Sequence, residues 1–308
     1  MIDYLEIIRN IEILKNYIKI DEIKMGNSER LKIKVTTKNK QYFVKIVKNA
    51  LDEDYINNIT WLYNQYEKLH IYFGKLIEIY VLADKNISVL VFEYIEGKPL
   101  SLLGKEKLDY EKYGIIVANY SLRLKNISMK NRIVIDIEQF TREYIEKIEK
   151  LKEDLKKLNL TNQKTIDLIK EKLLEIANKI KLDPPHYIHG DIKTDNFIID
   201  KNGQLWITDI DYILPSYYCF DTRWIILKSL LPEEQNEKYF LKGFLKTIYK
   251  NERIDKFEDE MIYIMLINLI SSSEEYIEDK NKLIRYYRYI NNILENKNHY
   301  IYKLLIDF

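Results

Sequence analysis

The sequence predicts an α+β protein of two lobes, a small antiparallel-sheet lobe followed by a large, mostly helical one. Three observations carry this. Strand patterning is concentrated before residue 93, where Leu31-Lys32-Ile33-Lys34-Val35 alternates strictly and the run Tyr42-Phe43-Val44-Lys45-Ile46-Val47 follows it. A period of two marks strands with one buried face. Gly97-Lys98-Pro99 breaks the pattern, and the sequence beyond it runs almost wholly at helical spacing. Two short apolar runs, Phe197–Ile199 and Leu205–Ile207, are the expected exceptions, joined into a hairpin by the turn Lys201-Asn202-Gly203. The lobes are expected to be residues 1–96 and 97–308, joined at about 93–99.

Residues 3–19 place Leu5, Ile8, Ile11, Leu14 and Ile18 at helical spacing, which predicts one amphipathic helix. These two runs lie either side of Lys38-Asn39-Lys40 and predict a hairpin. A helix follows over about Asp52–Leu69, with Ile56, Ile59, Leu62, Tyr63 and Tyr66 on one stripe. Strands are expected at Leu76–Leu82 and Ser88–Phe92, split by the turn Asp84-Lys85-Asn86. In the second lobe, 137–182 reads as two long charged helices broken at Asn159-Leu160-Thr161-Asn162, with Thr161 the candidate N-cap.

Composition narrows the function. Lys plus Arg number 49 and Asp plus Glu 48, so the chain has no general field for polyanions and nucleic acid is not an expected partner. The single Cys219 excludes an internal disulfide and a cysteine-based zinc cluster. His70, His186 and His299 are scattered and suggest no metal site. The first ten residues lack a signal-peptide core, and no apolar run approaches the roughly 20 residues of a membrane helix. A cytoplasmic protein without membrane contact is expected.

The chemistry concentrates in His189-Gly190-Asp191-Ile192-Lys193-Thr194-Asp195-Asn196, followed by the short hairpin and then Thr208-Asp209-Ile210-Asp211. An Asp, an Asn five residues on, and a second Asp after a strand pair form a constellation suited to phosphoryl transfer. Asp191 can accept or orient the proton of an attacking hydroxyl. Asn196 and Asp209 offer the hard oxygens that magnesium ions bridging phosphates require. His189 is expected to pack and hydrogen-bond within the turn, not to act as base or ligand.

These residues resemble the aminoglycoside phosphotransferase and choline kinase superfamily, which shares its core with protein kinases. His189-Gly190-Asp191 matches the family's catalytic loop, and Asp209-Ile210-Asp211-Tyr212 through Phe220-Asp221 is similar to the choline-kinase pattern. Spore-coat kinase-like proteins share the Ile-Asp-x-Asp form. The resemblance implies a protein-kinase-like fold, with residues 1–96 as the nucleotide-binding lobe and 97–308 carrying the catalytic loop and substrate site. It also implies that Asp209 binds magnesium and that Asp221 is a buried acid bracing the catalytic loop.

The first lobe agrees. Lys45 lies in the second strand of its hairpin, where a kinase lysine grips phosphate. Gly26-Asn27-Ser28 precedes the first hairpin strand and is similar to the short phosphate loop of the antibiotic kinases, with Gly26 and Ser28 near the nucleotide. Glu93 and Ile95 occupy the position whose main chain would pair with adenine. One part departs from the kinase pattern: residues 55–61 contain no acid to pair with Lys45; Glu53 and Asp54 lie at the helix start and Glu67 near its end, and Glu53 is the candidate.

The expected activity is therefore transfer of the γ-phosphate of ATP (or GTP), with Mg2+, to a hydroxyl of a small molecule, with Asp191 and Lys193 catalytic. Asp255, Glu258, Asp259, Glu260, Glu274, Glu275, Glu278 and Asp279, with Tyr217, Tyr218, Trp224 and Tyr276, lean towards a cationic amino-alcohol acceptor of aminoglycoside or choline type. Two alternatives stand beside this. A protein kinase shares the catalytic loop, in which Lys193 would neutralise the transferring phosphate, but no Ala-Pro-Glu closes an activation segment before Pro232. A non-catalytic, coat-type homologue would have no chemical need for Lys45, Asp191, Asn196 and Asp209 together.

Overall fold

The computed structural model describes residues 4–23, 31–104, 110–128, 136–210, 214–230, 234–275, 279–295 and 300–305. Two compact units emerge, one from residues 1–103 and 195–211, the other from 104–194 and 212–308.

The first unit is built on a five-stranded antiparallel sheet. A short helix α1 (Tyr4–Arg9) leads into β1 (Tyr17–Glu22), β2 (Leu31–Thr37) and β3 (Gln41–Val47). Helix α2 (Glu53–Lys68), β4 (Leu76–Leu82) and β5 (Ile87–Glu93) follow, and the strand order is β1-β2-β3-β5-β4. Alternation decides what each face does. Ile33, Val35, Val44, Ile46, Ile87, Val89 and Val91 lie in one core with Ile7, Ile8, Ile11 and Leu14. Burying each such side chain is worth about 1.5–3 kcal/mol. The opposite face carries Phe43, Lys45, Leu90 and Phe92, against which α2 packs Tyr63 at 5.8 Å from the Phe92 ring. Asp52 caps α2 by accepting from the Tyr55 N–H at 2.7 Å.

The amino terminus departs from expectation. The predicted helix over 3–19 ends at Arg9, and Tyr17–Glu22 is an edge strand pairing Ile20 with Val35. Ile8, Ile11 and Leu14 are buried as the spacing required, but turns deliver the last two, and Ile18 is exposed. The spacing picks out three side chains that reach the core, but not the backbone that takes them there.

Gly97-Lys98-Pro99 is more than a breaker. It forms β6 (Gly97–Pro99), which pairs with β8 (Phe197–Asp200), and β8 pairs in turn with β9 (Leu205–Ile207). A Cβ at Gly97 would stand 2.5 Å from the Ile199 carbonyl oxygen, so the pairing needs glycine there. The hairpin is tied to the chain before β4 by Ile207 N–H donating to the Tyr72 carbonyl at 2.8 Å.

The second unit is helical: α3 (Tyr110–Leu124), α4 (Ile137–Lys157), α5 (Gln163–Ile180), α6 (Gln235–Ile248), α7 (Ile254–Glu275), α8 (Lys280–Glu295) and α9 (Tyr300–Leu305). A further ribbon, unforeseen from sequence, joins β7 (His186–Ile188) to β10 (Leu214–Ser216). The cap of α5 is Asn162, accepting from Thr165 N–H at 2.9 Å, and not Thr161 as expected. Helix α7 is buried along Met261–Ile270 except at Ile262, which is half-buried, as befits a helix apolar on nearly every side. No helix among the described residues is long and apolar enough to cross a membrane.

Helices α3 and α6 meet through glycines. A Cβ at Gly114 would stand 2.0 Å from the Phe240 carbonyl oxygen, and one at Gly243 would stand 2.0 Å from that of Glu111. Gly114→Ala should therefore force the helices apart and cost about 1–3 kcal/mol, read as a Tm lower by several degrees. An unchanged Tm would contradict the close approach.

Glu260 on α7 gives a pH signature. It is buried and accepts a hydrogen bond from the Tyr249 hydroxyl, and burial raises its carboxyl from 4.5 to about 7 despite Lys256 nearby. The native state then holds the proton more tightly than the unfolded chain between those values. The resulting stabilisation is complete below about 4.5 and is lost as pH rises to about 7. Glu260→Gln should flatten that part of the stability–pH curve and gain on the order of 1–3 kcal/mol at pH 8. Denaturant titrations at pH 5 and 8 check this, and parallel curves for the two proteins would refute it.

Candidate active site

In the first unit, the β8–β9 hairpin sets two of the predicted residues side by side. The Asn196 carbonyl accepts from Thr208 N–H at 2.9 Å and from its hydroxyl at 3.0 Å, so Asn196 and Asp209 flank the base of the hairpin. Asp209 adopts φ 61, a left-handed conformation. Among the described residues, the other non-glycine residues of this kind, His70, Asn86 and Asn159, each follow the last turn of a helix, where such a conformation is ordinary. At Asp209 it is strain, of order 1–3 kcal/mol, of the sort that clusters at functional sites.

That strained residue meets Lys45. The ammonium lies 2.5 Å from Asp209 Oδ1, and Lys45 is only 2% exposed. Phe43 and Phe92 place their rings 5.9 and 5.5 Å from the same nitrogen. A second lysine, Lys32, stands 3.6 Å from Asp209 Oδ2. No sequence motif marks it as a site residue. Glu53, the candidate partner for Lys45, is exposed in the first turn of α2, whereas Asp209 meets Lys45 directly.

Glu93 closes β5, and its N–H donates to the Lys75 carbonyl at 2.8 Å. The next N–H, of Tyr94, donates to the Gln41 carbonyl at 3.3 Å, while the N–H of Ile95 finds no main-chain acceptor among the described residues. Gly26, Asn27 and Ser28 lie outside the described residues, as do Asp211 and Tyr212.

In the second unit, Asp221 organises the loop that begins at His189. It is fully buried, its Oδ1 accepts from Gly190 N–H at 2.7 Å, and its carbonyl accepts from Ile192 N–H at 3.3 Å. Gly190 has φ 78, which a side chain would oppose. Burial raises the Asp221 carboxyl to about 6, against the Gly190 N–H that favours its charge. The buried His189 accepts from Asp191 N–H at 3.3 Å through Nδ1, the packing role expected of it. Lys193 pairs with Asp191 at 2.7 Å. Thr194 donates at 2.5 Å to Glu237 of α6, a buried acid that sequence reasoning missed.

The residues that leaned towards a cationic acceptor are largely engaged within the second unit. Asp259 pairs with Lys179 at 2.7 Å and Glu274 with Lys147 at 3.3 Å. Glu258 accepts from Tyr302 N–H, Asp279 from Lys282 N–H, and Glu260 from the Tyr249 hydroxyl. Asp255 is exposed. Of the aromatics, Tyr217 is buried, Tyr218 faces Lys125 at 5.6 Å, and Trp224 faces Arg223 at 4.7 Å. Tyr276, Glu278 and the Glu275 side chain lie outside the described residues.

An antiparallel five-stranded unit, a helical unit, and acids set on a loop and at the base of a hairpin define a kinase-like phosphotransferase fold. The profile of the phosphotransferase enzyme family, APH, matches residues 19–217. The chain belongs to that family, as its resemblance implied, and is an enzyme of the small-molecule kinase class. No curated protein sequence matches it. Among solved structures it is similar to a microcompartment-associated aminopropanol kinase, at 13% identity and TM-score 0.63, covering 91% of this chain and 95% of that one. It is also similar to spectinomycin phosphotransferase APH(9)-Ia, at 15% identity and TM-score 0.57, covering 92% and 91%. Choline kinase LicA from Streptococcus pneumoniae gives 17% identity and TM-score 0.57, covering 94% and 98%.

Asp221→Ala should leave the part-buried Gly190 N–H without its acceptor. An orphaned donor shielded from water costs about 1–3 kcal/mol, so Tm should fall, and hydrogen exchange should quicken at Gly190 and Ile192 before it does elsewhere. Uniform quickening would show that Asp221 supports the whole unit and not the loop.

Proposed function

We propose that the protein transfers the γ-phosphate of a nucleoside triphosphate, ATP or GTP, to a hydroxyl of a small molecule with Mg2+. The observation that carries this is the strained Asp209, ion-paired to the buried Lys45 and set beside Asn196 by the hairpin base. A carboxylate and an amide carbonyl are hard oxygen donors of the kind magnesium takes, and the donor set fits. Bound there, magnesium would neutralise charge on the phosphate oxygens. The similar spectinomycin phosphotransferase holds ADP and the similar APH(2")-IIa holds ATP, which supports nucleotide use.

In this reading the residues divide the work. Lys45 grips the phosphates, with Gly26 and Ser28 as the phosphate turn. The main chain at Glu93 and Ile95 receives the base, and the Ile95 N–H is a suitable donor. Asn196 and Asp209 hold the metal. Asp191 orients the acceptor hydroxyl and takes its proton, and Lys193 keeps a positive charge beside the moving phosphoryl group. Residues 1–96 serve mainly the nucleotide and 97–308 the acceptor. A cytoplasmic setting suits the triphosphate donor and the single buried Cys219.

For the acceptor, an amino-alcohol is supported by the similarity to a spectinomycin phosphotransferase, a choline kinase and an aminopropanol kinase. Arg223 favours a second reading, an acceptor that also carries an anionic group. Its guanidinium lies 5.5 Å from the Phe140 ring and 5.7 Å from that of Tyr144, and its buried Nε–H has no acceptor among the described residues. A carboxylate or phosphate on the acceptor would supply one.

The test begins with a phosphorylation screen over aminoglycosides, choline, ethanolamine, 3-amino-1-propanol, sugars and hydroxy acids. For any substrate found, Asp191→Asn should lower kcat by about a hundred- to ten-thousandfold and leave ATP affinity nearly unchanged. Asp209→Ala should abolish the rise in Tm that Mg-ATP gives the parent protein. It should also lower the Tm of the free protein, because it strips a carboxylate from a buried ammonium. Near-normal transfer by Asp191→Asn, or phosphorylation of proteins but of no small alcohol, would sink the proposal.

A further inference from the structure

We infer that Lys32 is a second phosphate-binding lysine, which exchanges Asp209 for an oxygen of the nucleotide's phosphate chain when the nucleotide binds. The inference rests on the phosphotransferase reading above and adds to it a residue that neither the family match nor the sequence motifs assign.

Register places it. In the β2–β3 ladder Lys32 lies directly opposite Lys45. Directly opposed residues of an antiparallel pair project from the same face of the sheet. That face is the one away from the Ile33, Val35, Val44 and Ile46 core. Both ammonium groups reach Asp209, Lys45 at Oδ1 and Lys32 at Oδ2. Their side chains are only 3% and 13% exposed.

Charge completes the argument. Two ammonium groups meet the same carboxylate, one at each oxygen, so Lys32 depends on an acid that the metal site also claims. Asp209 is the one carboxylate within ion-pair distance of Lys32 among the described residues. Once Asp209 turns to a metal, a largely buried Lys32 would stand without a counter-ion, which is costly in a poorly solvated site. The phosphate chain that arrives with the metal supplies anionic oxygens to both lysines. An alternative role, in which Lys32 only steadies Asp209 in the free protein, makes a different prediction for nucleotide affinity.

Calorimetric titration of the full chain with Mg-ATP, Mg-ADP and adenosine separates the two. Lys32→Met should weaken both Mg-nucleotides by about ten- to a hundredfold, the effect of losing one charge-assisted hydrogen bond. Adenosine, which has no phosphate, should bind Lys32→Met and the parent protein alike. Lys32→Arg, which keeps the charge and the fold, should recover most of the Mg-ATP affinity. Unchanged or tighter Mg-ATP binding by Lys32→Met, or equal weakening of Mg-ATP and adenosine, would overturn the inference while leaving the phosphotransferase reading intact. A parent protein that binds adenosine and Mg-ATP with the same affinity would overturn both.

Discussion

The contact between Lys45 and Asp209 joins two stretches of chain that sequence keeps far apart. Lys45 belongs to the centre of a sheet whose other face is packed with branched aliphatic side chains, and its ammonium is nearly inaccessible to water. Such a group needs a carboxylate at close range. The β8–β9 hairpin provides one, held in a conformation that only a well-supported backbone tolerates. The pairing of β6 with β8 and the bond from Ile207 to Tyr72 anchor that hairpin to the first unit. The strain at Asp209 and the burial of Lys45 thus depend on each other.

The second unit solves a parallel problem with a different device. Its loop after His189 must present Asp191 without regular secondary structure to hold it. A single buried residue, Asp221, does this by accepting one main-chain N–H through its carboxylate and another through its carbonyl. His189 and Glu237 complete the support on either side of the segment. Each prop acts on main chain or on a neighbouring hydroxyl, so the side chains of Asp191 and Lys193 are left to pair with one another.

Much of the fold is legible in the sequence because its signals are local. Alternation reveals β2, apolar runs bounded by turns reveal β3, β4 and β5, and the order of Asp191, Asn196 and Asp209 singles out the candidate site. The burial of Asp221 beneath its loop follows from resemblance and is present in the structure. What escapes are features fixed by long-range pairing. Strand β1 is masked by an apolar spacing that happens to suit a helix. Strands β6, β7 and β10 are three residues long, too short for any period to declare itself. Lys32 is visible as a charge but not as a partner of Asp209. Centring the hairpin register on the turn at Lys38-Asn39 would have set it opposite Lys45. Asn162 prevails over Thr161 as a cap by a single position, a distinction that local sequence does not make.

The first unit is discontinuous, and this orders its birth. Residues 1–103 leave the ribosome well before 195–211, and the carboxylate that meets Lys45 follows it by 164 residues. At roughly 5–20 residues per second, that is a delay on the order of ten seconds. During that interval the nascent sheet has its aliphatic face complete but a lysine at its centre with no Asp209. Strand β6 likewise waits for β8. The unit that begins first therefore stays incomplete until the chain has passed residue 211, and residues 104–194 of the helical unit must be made before the lysine at its heart meets its counter-ion.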